Sequence, residues 1–520
     1  MFWFNYIGLV VVIALLVTNI ILLAKKPAWL ARTFKNKVLQ IVELVSCIGC
    51  LALMIFNIPH TYFGFIFDDA FLIYVILNSI LVVLYIDACI ICYKRHPKLR
   101  GYSLSILSTA IFFISGILLL NIPLIIFSIA FGVSHIYMSI KNIREEVEVP
   151  GKRKALFAVI SSISSLLAVL IIAVGSTIFY LSATEYNPDT ITQVEVHNQR
   201  NEIVQKGQDY TLMSWNVGYG VLDKNTDFFM DGGSQVRGIS KEITAGNISA
   251  TAEDTLANNP DFVFYQEVDV DSTKSNNVDE VSIYVNKFKD FAYTRAINYK
   301  VDYIPYPLPP LGKVDSGLLT FSKYKIDNSV RMSLPCMFSW PLRVANLKRC
   351  LSINRLPIDG DSEHELVLIN LHLEAFDDGE AKKAQTEALK KVLDEELNVK
   401  NNYVIAGGDF NQIFESVKDI FPIRPNVWTP GKIKDEEFEA INYQVCTDTK
   451  ESCRAVNQPY ITTGDKKVDN QFYIIDGLLV SRNITVKSKG VMTEYDFAHS
   501  DHNPYKLSFS LNNNAVPNSL

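Results

Sequence analysis

The chain has 520 residues, 49% of them hydrophobic and 20% charged, with a formal net charge of −6. A chain this apolar is neither disordered nor collagen-like. Its acidic balance gives no general case for a nucleic-acid partner, and eight cysteines are too few for a disulfide scaffold.

Apolar residues crowd the part before residue 184. A bilayer core takes ~20 apolar residues per helix. Six stretches qualify: 4–23, 38–58, 70–93, 103–120, 122–140 and 155–181. The fourth and fifth meet at Asn121-Ile-Pro123, read as a tight turn between antiparallel spans. Lys25 and Lys26 follow the first apolar run instead of preceding it, which argues against a cleaved signal peptide. Basic residues fall in alternate loops: Lys25, Lys26, Arg32, Lys35 and Lys37, then 94–100, then Lys141, Arg144, Lys152, Arg153 and Lys154. The intervening loop 59–69 has no Lys or Arg and carries Asp68 and Asp69. Basic loops stay cytoplasmic. The expectation is a multi-pass plasma-membrane protein with its N-terminus and its C-terminal domain both outside. Glu43, Asp87 and His135 lie within these stretches, where polar groups are costly and mark function. Cys47, Cys50, Cys89 and Cys92 read as small residues in lipid instead of zinc ligands.

Residues 184–207 are polar, include Asn187-Pro-Asp, and read as a linker. A globular domain is expected over 208–511, with a tail at 512–520. In this domain Cys336, Cys350, Cys446 and Cys453 are expected to form two disulfides if the domain is extracellular. Asn247-Ile-Ser and Asn483-Ile-Thr are glycosylation sequons.

From Thr211 onward, short apolar runs each end in a polar residue. They lead to Asn216, to Gln266-Glu267, to His372, to Asp409 and Asn411, to Asp476, and to Asp501-His502. A helix is predicted over 381–396, where Leu389, Val392 and Leu393 share helical spacing. Strands alternating with helices point to α/β layers, and such folds build sites at strand ends. The carboxylates Glu267, Asp409, Asp476 and Asp501 suit a hard ion: Mg²⁺, Mn²⁺ or Ca²⁺. Two histidines without a His-Glu-x-x-His pattern exclude a zincin. A divalent ion beside an imidazole fits hydrolysis of a phosphate ester.

These pieces, taken together, resemble the endonuclease/exonuclease/phosphatase superfamily, the DNase I-like fold. They are Ser214-Trp-Asn216, Gln266-Glu267, 316–324, Asn370-Leu-His-Leu373, Gly408-Asp-Phe-Asn411, Ile475-Asp476 and Ser500-Asp-His502, in the family's order over about 208–511. The resemblance implies a four-layer, two-sheet sandwich flanked by helices; the apolar stretches before it imply an all-α bundle of about six membrane helices. It implies that Glu267 ligates the ion, with Asn216 and Asp501 completing or supporting the shell. Asp476 would orient His502, which would act as base or charge stabiliser. Asp409 would position or deprotonate the attacking water. Asn411 and His372 would contact phosphate oxygens, and His372 would alternatively assist the leaving group. The Asn-x-His-Leu piece resembles the branches of deoxyribonucleases, sphingomyelinases and inositol-polyphosphate phosphatases.

Lys348 and Arg349 read as a solvated strand face, with Arg349 the candidate contact to substrate phosphate. Residues 227–233 (Asp-Phe-Phe-Met-Asp-Gly-Gly) and the Tyr/Pro-rich 299–310 have no motif-level role; the first reads as a substrate loop or a turn, and the second equally as a structural loop or as a rim that touches lipid or stacks a base. The resulting expectation is a membrane-anchored metal-dependent phosphoesterase acting outside the cytoplasm on a phospholipid or sphingolipid. A surface nuclease is the alternative. A non-enzymatic receptor would have lost a core residue, and none is missing; a transporter lacks support from paired helix breaks.

Overall fold

The computed structural model describes residues 177–513, apart from 179, 337, 376–378 and 462–463. The six apolar stretches, save the end of the last, lie outside the described residues, as do Glu43, Asp87, His135 and the four cysteines before residue 100. Among the described residues no helix is long and apolar enough to cross a membrane. The chain divides into two compact units, one of Met1–Ala183 with Ser339–Val344 and one of Thr184–Phe338 with Ala345–Leu520. The second carries every element described below.

In chain order its strands are β1 (Ile191–Gln193), β2 (Asp209–Asn216), β3 (Phe262–Asp269), β4 (Ala292–Ile304), β5 (Gly312–Ser322), β6 (Asn328–Ser333), β7 (Cys350–Ile358), β8 (Asp361–His372), β9 (Tyr403–Asp409), β10 (Gln412–Phe414), β11 (Gly431–Ile433), β12 (Tyr443–Cys446), β13 (Cys453–Arg454), β14 (Phe472–Tyr473), β15 (Asp476–Ser481), β16 (Ile484–Val491) and β17 (Tyr505–Leu511). The α-helices are α1 (Lys241–Ala257), α2 (Glu280–Lys287), α3 (Glu380–Asp394) and α4 (Asp435–Glu439). A seven-stranded sheet runs β1-β6-β7-β8-β9-β15-β12, and a six-stranded sheet runs β16-β17-β2-β3-β5-β4. Each holds one parallel pair, β8/β9 in the first and β2/β3 in the second. A parallel pair needs a crossover, supplied here by α3 and α1.

Strand alternation builds the layers. Phe262 and Phe264 of β3 face Leu366 and Leu368 of β8 in the core between the sheets. Their neighbours Val263 and Tyr265 point outward to α1 and α2, and Val367 and Ile369 point outward to Leu389 and Leu393 of α3. The product is an α/β/β/α sandwich, the architecture that the motif order implies. Helix α1 has no continuous apolar stripe, because its buried face mixes Ile248 and Ala252 with Thr244, Thr251 and Thr255. Thr251 Oγ1 lies 2.7 Å from the Tyr284 hydroxyl, and Thr255 Oγ1 accepts from the Tyr265 hydroxyl at 2.7 Å. Buried tyrosine hydroxyls need partners, and α1 provides them.

Three expectations are corrected here. The segment 184–207 is not a linker: β1 pairs with β6, His197 bridges Tyr293, and Val204 is fully buried in the core. The four cysteines of the domain are free thiols. Cys446 lies in the core between the sheets and Cys453 in the outer core of the seven-stranded sheet, while Cys350 packs beside Ala296 and Leu318 and Cys336 is exposed. Both sequon asparagines are buried and engaged. Asn247 donates to Gly220 O and Asp223 Oδ2, and Asn483 donates to Asn402 O.

Candidate active site

The site forms where the two parallel pairs end. In the seven-stranded sheet, His372 stands opposite Asp409 across β8/β9, and Asp409 stands opposite Asp476 across β9/β15. Register alone therefore sets an imidazole and two carboxylates in a row. Gly408, just before Asp409, has φ +141°, and a Cβ there would meet Leu371 O at 2.2 Å and Gln266 Nε2 at 2.8 Å. Only glycine permits that approach. After the strand, Phe410 buries its ring against Phe414. Asn411 takes φ +51°, its backbone N–H donates to Asp409 Oδ1 at 2.8 Å, and its Nδ2 donates to Leu373 O at 2.9 Å.

The six-stranded sheet positions its residues by breaking the strand. Between Tyr265 and Val268 the register against β5 slips by one residue, and Glu267 takes φ +61°. A bulge of this kind re-aims a side chain at a strand end. Asn216 ends β2; its Nδ2 donates to Asp409 Oδ2 at 2.9 Å, and its Oδ1 accepts from Gly218 N at 3.1 Å. Gly218 (φ +53°) runs so close to the loop before β17 that a Cβ would meet Asp501 Oδ1 at 2.8 Å. That loop is anchored by the Trp215 indole, which donates to His502 O at 2.9 Å, and by the Ser500 hydroxyl, which donates to Asn216 O at 2.7 Å. Gln266 and Asn370 join the sheets beneath the site, with Gln266 Nε2 donating to Asn370 Oδ1 at 2.8 Å.

The side chains converge. His502 Nδ1 lies 2.8 Å from Asp476 Oδ2, and His502 Nε2 lies 3.7 Å from Asp409 Oδ2. His372 Nε2 is 3.5 Å from Asp409 Oδ2 and 3.9 Å from Glu267 Oε1. A cavity of about 150 Å³ opens over them, lined by Asn216, Glu267, His372, Asp409, Asn411, Asp501, His502 and Arg349. Asp476 stands behind His502, outside the lining. Of the nine residues singled out from the sequence, the structure thus brings eight to one cavity and the ninth into contact with it.

Electrostatics separate the two histidines. Burial pushes the His372 imidazole well below the usual range, and Arg349 and His502 add to this. Burial pulls His502 the same way, but Asp476 overrides it and holds that imidazole well above the usual range. Burial also raises the Asp409 and Asp501 carboxyls. Glu267 is pushed up to about 8, by burial first and then by Asp501.

A crowd of buried carboxylates raised in this way is relieved by a cation. Glu267, Asp501 and the Asn216 amide oxygen form the hard-oxygen set that Mg²⁺, Mn²⁺ or Ca²⁺ takes, so the residues fit such an ion. Two other groupings place ligand atoms within 4.8 Å of one another: Asp409, Asp476 and His502, and Cys453, Asp501 and His502. The first is already satisfied by hydrogen bonding. In the second, burial holds the proton on the Cys453 thiol.

Several cavity residues carried no signal in the sequence. Arg454 is buried and donates through Nη2 to Asp223 O at 2.7 Å, tying the loop after β2 to β13. Lys274 pairs with Asp269 at 2.7 Å and lies 3.0 Å from the centre of the Tyr219 ring. Asp231 lines the cavity with Phe228 and Met230, so residues 227–233 do border the site. Burial and Asp501 push Asp231 up to about 6. The solvated face expected at Lys348 and Arg349 is corrected. Lys348 pairs with Glu185 at 2.8 Å. Arg349 is 4% exposed, and its Nε and Nη1 have no hydrogen-bond partner among the described residues.

No family model matches the chain, and no curated protein does. Among solved structures it is similar to an endonuclease/exonuclease/phosphatase from Beutenbergia cavernae, at 16% identity over 59% of this chain and 72% of that one, with a TM-score of 0.39. It is similar to TDP2 from Caenorhabditis elegans, at 17% identity over 59% and 75% of the two chains, with a TM-score of 0.35. It is also similar to the human Nocturnin catalytic domain with a bound sulfate anion, at 18% identity over 61% and 97%, with a TM-score of 0.34. At such identities and scores, the functional reading rests on the residues of the site.

Proposed function

We propose that this protein is a divalent-metal-dependent phosphoesterase that hydrolyses a phosphate ester in the cavity at the strand ends. The observation that carries the reading is the convergence of Glu267, Asp409, Asp501, His372 and His502 on one cavity with the buried Arg349 guanidinium, whose Nε and Nη1 have no hydrogen-bond partner among the described residues. A buried cation without a partner is costly, and an anionic phosphoryl group is the partner that a guanidinium fork fits.

When bound, the ion would neutralise charge that develops on the phosphoryl oxygens. Glu267 and Asp501 would hold it, with Asn216 supporting. Asp409, its carboxylate fixed by Asn216 and the Asn411 N–H, accepts the proton of the attacking water. His502, oriented and kept protonated by Asp476, donates a hydrogen bond to the phosphoryl group as its charge grows. His372, held neutral, donates from one ring nitrogen to a phosphate oxygen, and Asn411 offers its second amide N–H. The new phosphorus–oxygen bond forms as the ester bond breaks, and the leaving oxygen takes its proton from solvent water. Arg349 binds the substrate phosphate.

The substrate is read as a lipid phosphate ester, and the protein as a multi-pass membrane protein with its domain outside the cytoplasm. The apolar first 183 residues and the alternation of basic loops support this reading. Tethering raises the effective concentration of a bilayer substrate. The test is a panel of phospholipids, sphingomyelin, plasmid DNA and RNA, offered to the full-length protein with Mg²⁺, Mn²⁺ or Ca²⁺, with and without EDTA. Metal-dependent release of a phosphorylated or dephosphorylated lipid product supports the reading. Cleavage of nucleic acid alone makes the protein a surface nuclease.

A further inference from the structure

One feature beside the cavity has no part in the chemistry above. The hairpin from β4 to β5 ends in a tip, residues 303–310, that presents apolar side chains to solvent. Tyr303 is 44% exposed, Tyr306 74% and Leu308 88%. The tip is held in place: the Arg237 Nη2 donates to Pro310 O at 2.7 Å, and Phe229 and Ile304 pack on a cluster of Val236, Leu311 and Val314. The hairpin and the 227–233 turn therefore pack against each other. The same piece borders the cavity through Tyr299, Leu311 and Met230, and Met230 is itself exposed. Residues 184–188, where the chain enters the domain from its apolar first part, form a surface pocket with Lys300 and Asp302 beside the tip of the hairpin. Domain entry, apolar tip and cavity border thus share one side of the domain.

We propose that the 303–310 tip, with Met230, is a docking rim that inserts into the lipid interface and sets the cavity mouth on the bilayer. Exposed tyrosine and leucine on a braced turn suit that position, since tyrosine places an apolar ring in the interface with its hydroxyl in water. The inference rests on both parts of the proposed function: on the membrane reading of the first 183 residues for lipid as the occupant of that side, and on the phosphoesterase reading for what the rim delivers, a lipid phosphate ester that need not leave the bilayer to reach Arg349 and the metal ligands.

The test uses the full-length chain in vesicles of phosphatidylcholine and phosphatidylglycerol. A Leu308→Trp variant is compared with the parent, whose five tryptophans set the baseline. The added emission is expected to be quenched by lipids brominated on their acyl chains. A double variant, Tyr306→Ser with Leu308→Ser, is expected to lower hydrolysis of vesicle lipid by roughly tenfold. It is expected to leave hydrolysis of the soluble diester bis(p-nitrophenyl) phosphate unchanged. The proposal is overturned if brominated lipid does not quench, if an oligonucleotide alters the emission and lipid does not, or if the double variant loses both activities together. Quenching in a parent that hydrolyses neither substrate supports the rim and removes the phosphoesterase reading, so the two fail separately.

Discussion

In β8–α3–β9 the functional side chains sit where strand register puts them, whereas in β2–α1–β3 they sit where the strand gives way. His372, Asp409 and Asp476 follow from pairing across three neighbouring strands. Glu267 depends on a slipped register and a left-handed backbone, and Asn216 leads straight into Gly218 and Tyr219, both with positive φ. In the first half, the ends of β8 and β9 that carry His372 and Asp409 are buried and paired. The second stores strain beside the carboxylate that would hold the ion, as functional sites commonly do. On the proposed reading, the regular half would position the water and the phosphoryl group, and the irregular half would help to hold the metal.

That comparison can be broken from either side. Asp409→Asn removes the proton acceptor from the regular half and is expected to cost ~10²–10⁴-fold in turnover while leaving the melting temperature near that of the parent. Gly408→Ala attacks the same half through its backbone. With Leu371 O at 2.2 Å from the new Cβ, a loss on the order of 3 kcal/mol is expected in urea unfolding. Glu267→Gln tests the irregular half. Calorimetric titration with Mn²⁺ is expected to show affinity weakened by about 10–100-fold or more, with little change in fold stability, since the substitution relieves carboxylate crowding.

Much of the regular half was legible in the sequence. The runs Leu366–Ile369 and Tyr403–Ala406 are continuous and apolar because both faces are buried, and each ends within three residues of a chemistry-bearing residue, His372 and Asp409. Helix α3 was legible from Leu389, Val392 and Leu393, though it begins at Glu380 and ends at Asp394. Helix α1 was not, because hydrogen bonds from Thr251 and Thr255 replace the apolar stripe that periodicity detects. Polar composition hid β1 in the same way, since a short edge strand needs only backbone pairing. Arg454, Lys274 and Tyr219 reach the site through tertiary contacts alone, and Arg349 looked like surface because its strand-flanking position gives no sign of burial.

The smallest expected effect lies away from the site. Arg355 Nη2 pairs with Glu396 Oε1 at 2.5 Å, and Lys400 Nζ lies 2.9 Å from the same oxygen. Burial alone would raise the Glu396 carboxyl, but hydrogen bonds from Arg355, Lys400 and Asn402 bring it below the usual value. A depressed carboxylate contributes stability above its unfolded pKa, near 4.3, and that contribution is lost as pH falls through the folded value. Glu396→Gln is therefore expected to be less stable than the parent at pH 7, with the gap narrowing below about pH 4 in thermal melts.

The most direct test of the account is hydrolysis of bis(p-nitrophenyl) phosphate by the full-length protein, followed through EDTA treatment and return of Mg²⁺ or Mn²⁺, with Asp409→Asn alongside. The account predicts activity that EDTA removes, that the ion restores, and that Asp409→Asn lacks throughout. Activity indifferent to EDTA, or equal in Asp409→Asn and the parent, would contradict it.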